Sequence, residues 1–505
     1  MKANFLSAFG FSLLLVLLIG NRHAFGKTDT DAEGEREISL FADYLSSRYL
    51  GGLPLVWDRR AVTEATLWAL SERSVRADRL CAEGKYAEAE KEHRAILALR
   101  LRMLGKDHTD VIESRGSLSM ALSKNCKHAE AEKEYRTAWA DCVRVLGPEH
   151  EATLCAWLNV GLELLDRSKF AEAEKELRAL RPILGRLHGP EHLNLLQCRH
   201  GLAEVLTSRH HYAEAEKENR AILAIRQRVL GPENEWTLDS RYFVAIALYN
   251  QGRYRDAEQE YRTGAPIVAR QLGPEHPETL RWRDWIATTM EAQGRHDEAA
   301  TEHRAVLAVR SRVFGPEHPA TIGTRSALAW TICALGRCAE AEQEMRAILA
   351  IRGRTLGPAH RNTLCSRVDL AHCMNAAGKH REAEEEYNQL LPVIERVLGA
   401  HERVVLNCRH RRAVAIQAQG RWAEVEAEHR ALLALREKML GARHPEVFDS
   451  CYNLALCLEH QGKPEFALPL VQRAANGRAE LLGLKHPDSE DAKAARERIE
   501  AALKK

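Results

Sequence analysis

Histidine, cysteine and arginine recur along this chain at spacings that invite a chemical reading. His108, His150, His192, His276, His318, His360, His444 and His486 fall in one register. Histidines bind zinc when several converge on an ion at about 2 Å. Equivalent positions one structural repeat apart stand too far from each other for that. The histidines are therefore expected to hydrogen-bond within turns, and neither a metal nor another cofactor is expected. Twelve cysteines are present, and Cys155 with Cys198, Cys365 with Cys408, and Cys408 with Cys451 lie 43 residues apart. Neighbouring helices pack about 8–10 Å apart, whereas a disulfide needs Cα atoms within about 7 Å. No CxxC and no zinc-like Cys/His cluster occurs, so most cysteines read as small, part-buried thiols.

Arginine holds one register at seven of nine rungs: Arg115, Arg199, Arg241, Arg283, Arg325, Arg367 and Arg409, with Trp157 and Cys451 in the others. Such a ladder would suit an acidic peptide or a phosphate. The same arginines would also pair with a glutamate register that starts at Glu92, includes Glu428 and is filled at nine of ten positions. The second outcome is expected. No phosphate loop, no HExxH and no GxSxG is present, and about 35 non-repeat residues ahead of the array are too few for a catalytic domain, so no enzymatic activity is expected.

These registers are set by a period of 42 residues without insertion or deletion. One glycine column runs from Gly105 through Gly147 to Gly483; a second reads Gly84, Cys126, Ser168 and His210, then glycine from Gly252 to Gly462. Each period reads as two helices. Around Gly252 the first helix is expected over about 237–251, with Leu238, Val244, Ala245 and Leu248 on one face. Gly252 ends it, because glycine takes the left-handed conformation without penalty. The second helix carries Tyr254, Ala257, Tyr261 and Ile267 on one face and ends at Leu272. Within second helices, Glu90 with Arg94 recurs in seven repeats as an i,i+4 pair, which reads as a solvated face. Pro182, Pro266 and Pro392 share one register inside second helices and are expected to bend them.

Gly84-Lys85-Tyr86-Ala87-Glu88-Ala89-Glu90, Ile96-Leu97-Ala98-Leu99-Arg100 and Leu272-Gly273-Pro274-Glu275-His276-Pro277 resemble the tetratricopeptide repeat family, in the long-repeat form seen in kinesin light chains and many bacterial proteins. The resemblance implies an all-α, right-handed superhelical solenoid of about ten hairpins, closed by a C-terminal capping helix. It also implies a groove lined by the first helices that binds peptides. Carried onto this sequence, the groove candidates are Asn159, His200, Tyr242, Asp284, Trp330 and His372, with Arg241, Arg283 and Arg325 beside them.

The whole chain limits the partners further. Lys and Arg number 73 against 71 Asp and Glu, a net charge of +2 with no basic block, so nucleic acid is not expected to bind. Residues 1–26 read as a signal peptide: Lys2 is followed by an apolar run from Phe11 to Ile19, and Ala24 and Gly26 precede a cut before Lys27. An exported protein, periplasmic or secreted, is expected, with an uncleaved membrane anchor as the alternative. No membrane span is expected after cleavage. Residues 27–60 lack repeat character, residues 61–487 form the array, and residues 488–505 form the cap. The function expected is that of a scaffold for a protein or peptide; the alternatives are a receptor for a small signalling peptide and a regulatory subunit of an enzyme complex.

Overall fold

The computed structural model describes residues 59–504, apart from Ser168, Ala400, His401 and Lys485. The expected signal peptide and all but the last two residues of the segment 27–60 lie outside the described residues. Within them, 21 helices from Arg59–Ala82 to Pro487–Leu503 follow one another as hairpins, and no strand occurs among the described residues. First helices such as Glu235–Asn250 have 16 residues and second helices such as Tyr254–Leu272 have 19. The chain forms two compact units, one ending at Leu202 and one beginning at Ala203.

The turns follow from the two glycine columns. Gly252 and Gly273 take φ of 79° and 94°, and Cys126 and His210 are held at φ of 60° and 65° in the same turn as Gly252. Side chains resist that conformation because Cβ approaches the following carbonyl. All eight linker histidines cap the helix that follows. Each Nδ1 accepts the amide N–H two residues on at 3.2–3.3 Å. The register lacks histidine twice: the Asn234 side chain accepts from Trp236 at 2.9 Å, and its helix starts at Glu235, earlier than expected, whereas Glu402 makes no side-chain cap.

Within a hairpin, the arginine register of the first helix reaches glutamate 19 residues on. Arg241 meets Glu260 at 2.5 Å, Arg283 meets Glu302 at 2.6 Å and Arg325 meets Glu344 at 2.5 Å. Arg115, Arg367 and Arg409 do the same, and Trp157 donates its indole N–H to Glu176 at 2.8 Å.

Between hairpins the expectation of a solvated glutamate face is corrected. The seven i,i+4 pairs form, but five of their glutamates are buried; Glu342 is 5% exposed and Glu258 8%. Each covered carboxylate takes partners from the next repeat. Glu258 accepts from Gln293 at 2.7 Å and from Arg295 at 2.9–3.0 Å. Glu90, Glu132, Glu216, Glu342, Glu384 and Glu426 are met by Lys127, Lys169, Arg253, Lys379, Arg421 and Lys463 in the same way. The face looked solvated because one helix in isolation has no next repeat lying across it.

The helices containing Pro182, Pro266 and Pro392 continue unbroken past each proline. In the first described hairpin Arg76 is exposed where Val244 is buried in its own repeat. The last helix, Pro487–Leu503, buries Ala492, Ala495 and Ile499, with Ala495 and Ile499 in one cluster with Leu454 and Leu458.

Inside the unit that begins at Ala203, hairpins more than three periods apart meet again. Arg403 donates to Asn250 Oδ1 at 3.0 Å, across 153 residues, and pairs with Glu446 at 2.5 Å. His444 Nε2 donates to the Asn250 carbonyl at 2.8 Å, across 194 residues. Burial and the neighbouring Arg403 hold the His444 imidazole neutral, down to about 4 despite Glu446 beside it, so it can donate at Nε2 while Nδ1 caps its helix. Gly252 meets the Pro445 ring here with no room for a Cβ, which would stand 2.3 Å from Pro445 Cγ.

Cys126 is exposed and carries a strained φ for no gain in packing. Cys126→Gly is expected to stabilise the protein by roughly 0.5–1 kcal/mol, the relief of left-handed strain less glycine's greater freedom when unfolded. Urea unfolding measures it, and an unchanged or lower midpoint contradicts the strain.

Candidate functional site

The first helices carry the groove candidates, and the structure buries two of these and leaves the others half-buried. Tyr242 is core: it is 4% exposed and packs edge-on to Tyr261 and Trp285, with the Arg281 guanidinium 4.1 Å from its ring centre. Burial pushes its hydroxyl up to about 12. His200 is buried as well. Asp284 binds inward, accepting from His303 Nδ1 at 3.0 Å, Arg310 at 2.5 Å and Thr324 at 2.9 Å. Burial alone would raise its carboxyl; the His303 hydrogen bond and the Arg310 charge hold it below the usual carboxylate range. That network ties a first helix to its own second helix and to the next first helix. Arg241, Arg283 and Arg325 are spent on the glutamates already described. Asn159 is half-buried, and Asn453 donates back to the Asp449 carbonyl of its own helix at 2.8 Å.

Trp330 and His372 are the candidates that come together. Their rings stack with centroids 4.4 Å apart and planes 19° from parallel, and both side chains remain half-buried. Trp330 lies on Pro319–Ala334 and His372 on Arg361–Ala376, the first helices of successive repeats. The third repeat contributes Arg411, from Arg403–Ala418, whose guanidinium sits 4.4 Å from the Trp330 ring centre. Arg411 also pairs with Asp369 at 3.2 Å, and the Trp330 side chain hydrogen-bonds to the same carboxylate. Burial, then the Arg411 charge, lowers the His372 imidazole to about 3. The cluster thus presents a neutral aromatic stack braced by a compensated ion pair. Stacking, cation–π contact and hydrogen bonding are what it offers a ligand.

Arg411 and Asp369 were not among the candidates. Their signal was an arginine one period after an aspartate, 42 residues on, in the column beside that of His200, Tyr242 and Asp284. A similar arrangement recurs nearer the carboxyl end, where Arg478 lies 4.5 Å from the Tyr452 ring centre and pairs with Asp449 at 2.7 Å.

Elsewhere among the described residues, His128, Glu163 and Asp166 bring three potential ligand atoms within 4.8 Å of one another. His128 and Glu163 already share a hydrogen bond of 2.9 Å, and burial raises the Glu163 and Asp166 carboxyls. No described helix is long and apolar enough to cross a membrane.

Models of the tetratricopeptide repeat match residues 74–110, 111–152, 195–234 and 237–278, and again 282–344, 331–396 and 405–487. No curated protein matches the chain in sequence. Among solved structures, a putative kinesin light chain from Podosopora anserina with nearly identical TPR-like repeats is 27% identical, covering 40% of this chain and 95% of its own, at a TM-score of 0.35. The apo form of the quorum sensor NprR from B. thuringiensis is 12% identical over 73% of this chain and 99% of its own, at a TM-score of 0.53, a likeness of fold alone. A Rap protein complexed with Competence and Sporulation Factor is 14% identical over 78% of this chain and 99% of its own, at a TM-score of 0.47.

Asp284→Ala leaves the buried Arg310 and His303 without the carboxylate they share and is expected to cost roughly 3 kcal/mol. His372→Ala removes one stacking contact and is expected to cost about 1 kcal/mol or less. Equal losses in urea unfolding contradict the reading that Asp284 anchors buried partners while His372 makes a single stacking contact.

Proposed function

Because this chain belongs to the tetratricopeptide repeat family, we propose that it is a non-catalytic scaffold that holds a peptide or an extended protein segment across its first helices. The observation that carries this reading is the Trp330–His372 stack, braced by Arg411 and Asp369 over three successive repeats. Side chains already fixed by stacking and ion pairing lose little entropy when a ligand settles on them. Large aromatics and arginine are also the residues on which binding energy concentrates. The stack suits an aromatic or aliphatic side chain of the ligand, with backbone amides meeting the polar groups around it. It does not call for an acidic peptide, since six of the seven ladder arginines are paired with glutamate.

A second reading, a receptor for a short signalling peptide, draws support from the seam where Asn250 meets Arg403 and His444. A seam between distant hairpins makes this unit a closed winding, better shaped to enclose a short ligand than to receive a folded protein. A cleft of about 420 Å³ opens beside it, lined by His210, Tyr212, Glu214, Gln251, Arg443 and His444. In either reading we place binding outside the cytosol, on the strength of Lys2 and the apolar run that follows it.

The test is a crosslinking pull-down from the native cell with the full-length protein tagged at Lys505, beside a Trp330→Ala/His372→Ala double variant. A partner held by the parent and lost by the variant is expected. A partner kept equally by both contradicts the Trp330 site. A folded protein among the captured species favours the scaffold, and a short peptide alone favours the receptor. Sequencing the mature amino terminus of the bait shows whether it begins at Lys27.

A further inference from the structure

Cys333 lies in the last turn of Pro319–Ala334, and Cys338 opens Cys338–Leu356. Between them Gly336, at φ of 83°, turns the chain back. The two sulfurs stand 3.1 Å apart, about one ångström more than a disulfide bond of about 2.05 Å. The Cys338 thiol also donates to the Cys333 carbonyl at 3.3 Å, which holds both sulfurs on one side of the turn. Cys333 is buried and Cys338 half-buried, so reagents reach the pair through Cys338. Cys373, from the next first helix, hydrogen-bonds to Cys333.

We propose that Cys333 and Cys338 are an oxidisable pair that closes into a disulfide across this hairpin turn by exchange with a low-molecular-weight disulfide. Cys338 gives its proton to water, and the thiolate attacks one sulfur of the small disulfide RSSR. The S–S bond of RSSR breaks, one RS⁻ leaves, and Cys338 carries the mixed disulfide. Cys333 loses its proton in turn and attacks the Cys338 sulfur, expelling the second RS⁻. Two protein thiols are oxidised, one RSSR is reduced to two RSH, and no other oxidant is required.

The environment sets the rate. Burial and the hydrogen bond with Cys333 push the Cys338 thiol up to about 11, while Cys373 and burial push Cys333 up as well. The attacking thiolate is therefore scarce at neutral pH and grows about tenfold per pH unit below that value. Cys333 follows Trp330 by three residues and Cys373 follows His372 by one, so the bridge would fix the hairpin beneath that stack whatever ligand the stack takes.

The full-length protein, reduced and freed of reductant, is incubated with oxidised glutathione at pH 7, 8 and 9, then quenched with an alkylating agent and unfolded. Trypsin cuts after Arg337, between the two cysteines, so a bridge leaves two peptides joined in mass spectrometry. The joined species is expected, forming about ten times faster at pH 8 than at pH 7, with Cys198 and Cys408 alkylated. Free alkylated Cys333 and Cys338 at every pH overturn the proposal, as does a bridge from Cys333 to Cys373. Cys333→Ala is expected to stop at the glutathione adduct on Cys338; an unmodified Cys338 in that variant also overturns it.

Discussion

The joint between repeats rests on a carboxylate taken out of water. Glu258 lies 8% exposed and accepts from Arg262 in its own helix, from Gln293 and from Arg295. Burial alone would raise its carboxyl; the Gln293, Arg262 and Arg295 hydrogen bonds hold it below the usual range, so it stays charged. An ion buried without partners costs several kcal/mol, which makes the partners obligatory once the next repeat covers the site. Those partners sit 35 and 37 residues on, and the two offsets together fix both the approach and the rotation of the following hairpin. An insertion or deletion within a repeat would break this register, in keeping with the unvarying period of 42. The exception supports the rule. Where Ala300 replaces the glutamate, apolar Leu335 stands at the first offset and packs into the same cluster, while Arg337 turns away to Glu340.

A second joint runs in two chemistries. Arg100, Arg226, Arg310, Arg352 and Arg436 each reach a backbone carbonyl 10 residues on and a Ser or Thr hydroxyl 14 residues on. Where Leu184 and Ile394 hold the arginine's place, Cys198 and Cys408 hold that of the hydroxyl. Both cysteines are fully buried. Cysteine has nearly the shape of serine without its demand for a strong hydrogen bond, so it suits the apolar version of the contact. Cys198 and Cys408, two of the cysteines read from the sequence as small thiols, are thereby explained as packing residues.

Local grammar was legible in the sequence, and contacts between repeats were less so. The glycine columns, the capping histidines and the 19-residue arginine–glutamate pairs each depend on one hairpin and its turn. The Glu90 register was misread because helical periodicity defines a face without saying what will cover it. Tyr242, His200 and Asp284 stand in the same column, but side-chain volume next door decides their fate. Gly264 leaves room for the Trp282 ring, which a Cβ there would meet at 2.2 Å. Trp282 and Trp285 then enclose Tyr242. Trp330 and His372 stay half-buried, and their rings stack. Their brace, Arg411 and Asp369, joins residues a whole period apart and is visible only when columns are compared for opposite charge.

The Trp330 cluster inherits its geometry from these joints, since it draws on three successive repeats. The most direct test is a double-mutant cycle in urea unfolding with Glu258→Ala, Arg295→Ala and the pair together. Residues that act through one buried contact lose less jointly than the sum of their separate losses. A coupling of about 1 kcal/mol or more is predicted. Losses that add to within about 0.3 kcal/mol would show that the repeats are joined by apolar packing alone and contradict the central role given to the glutamate.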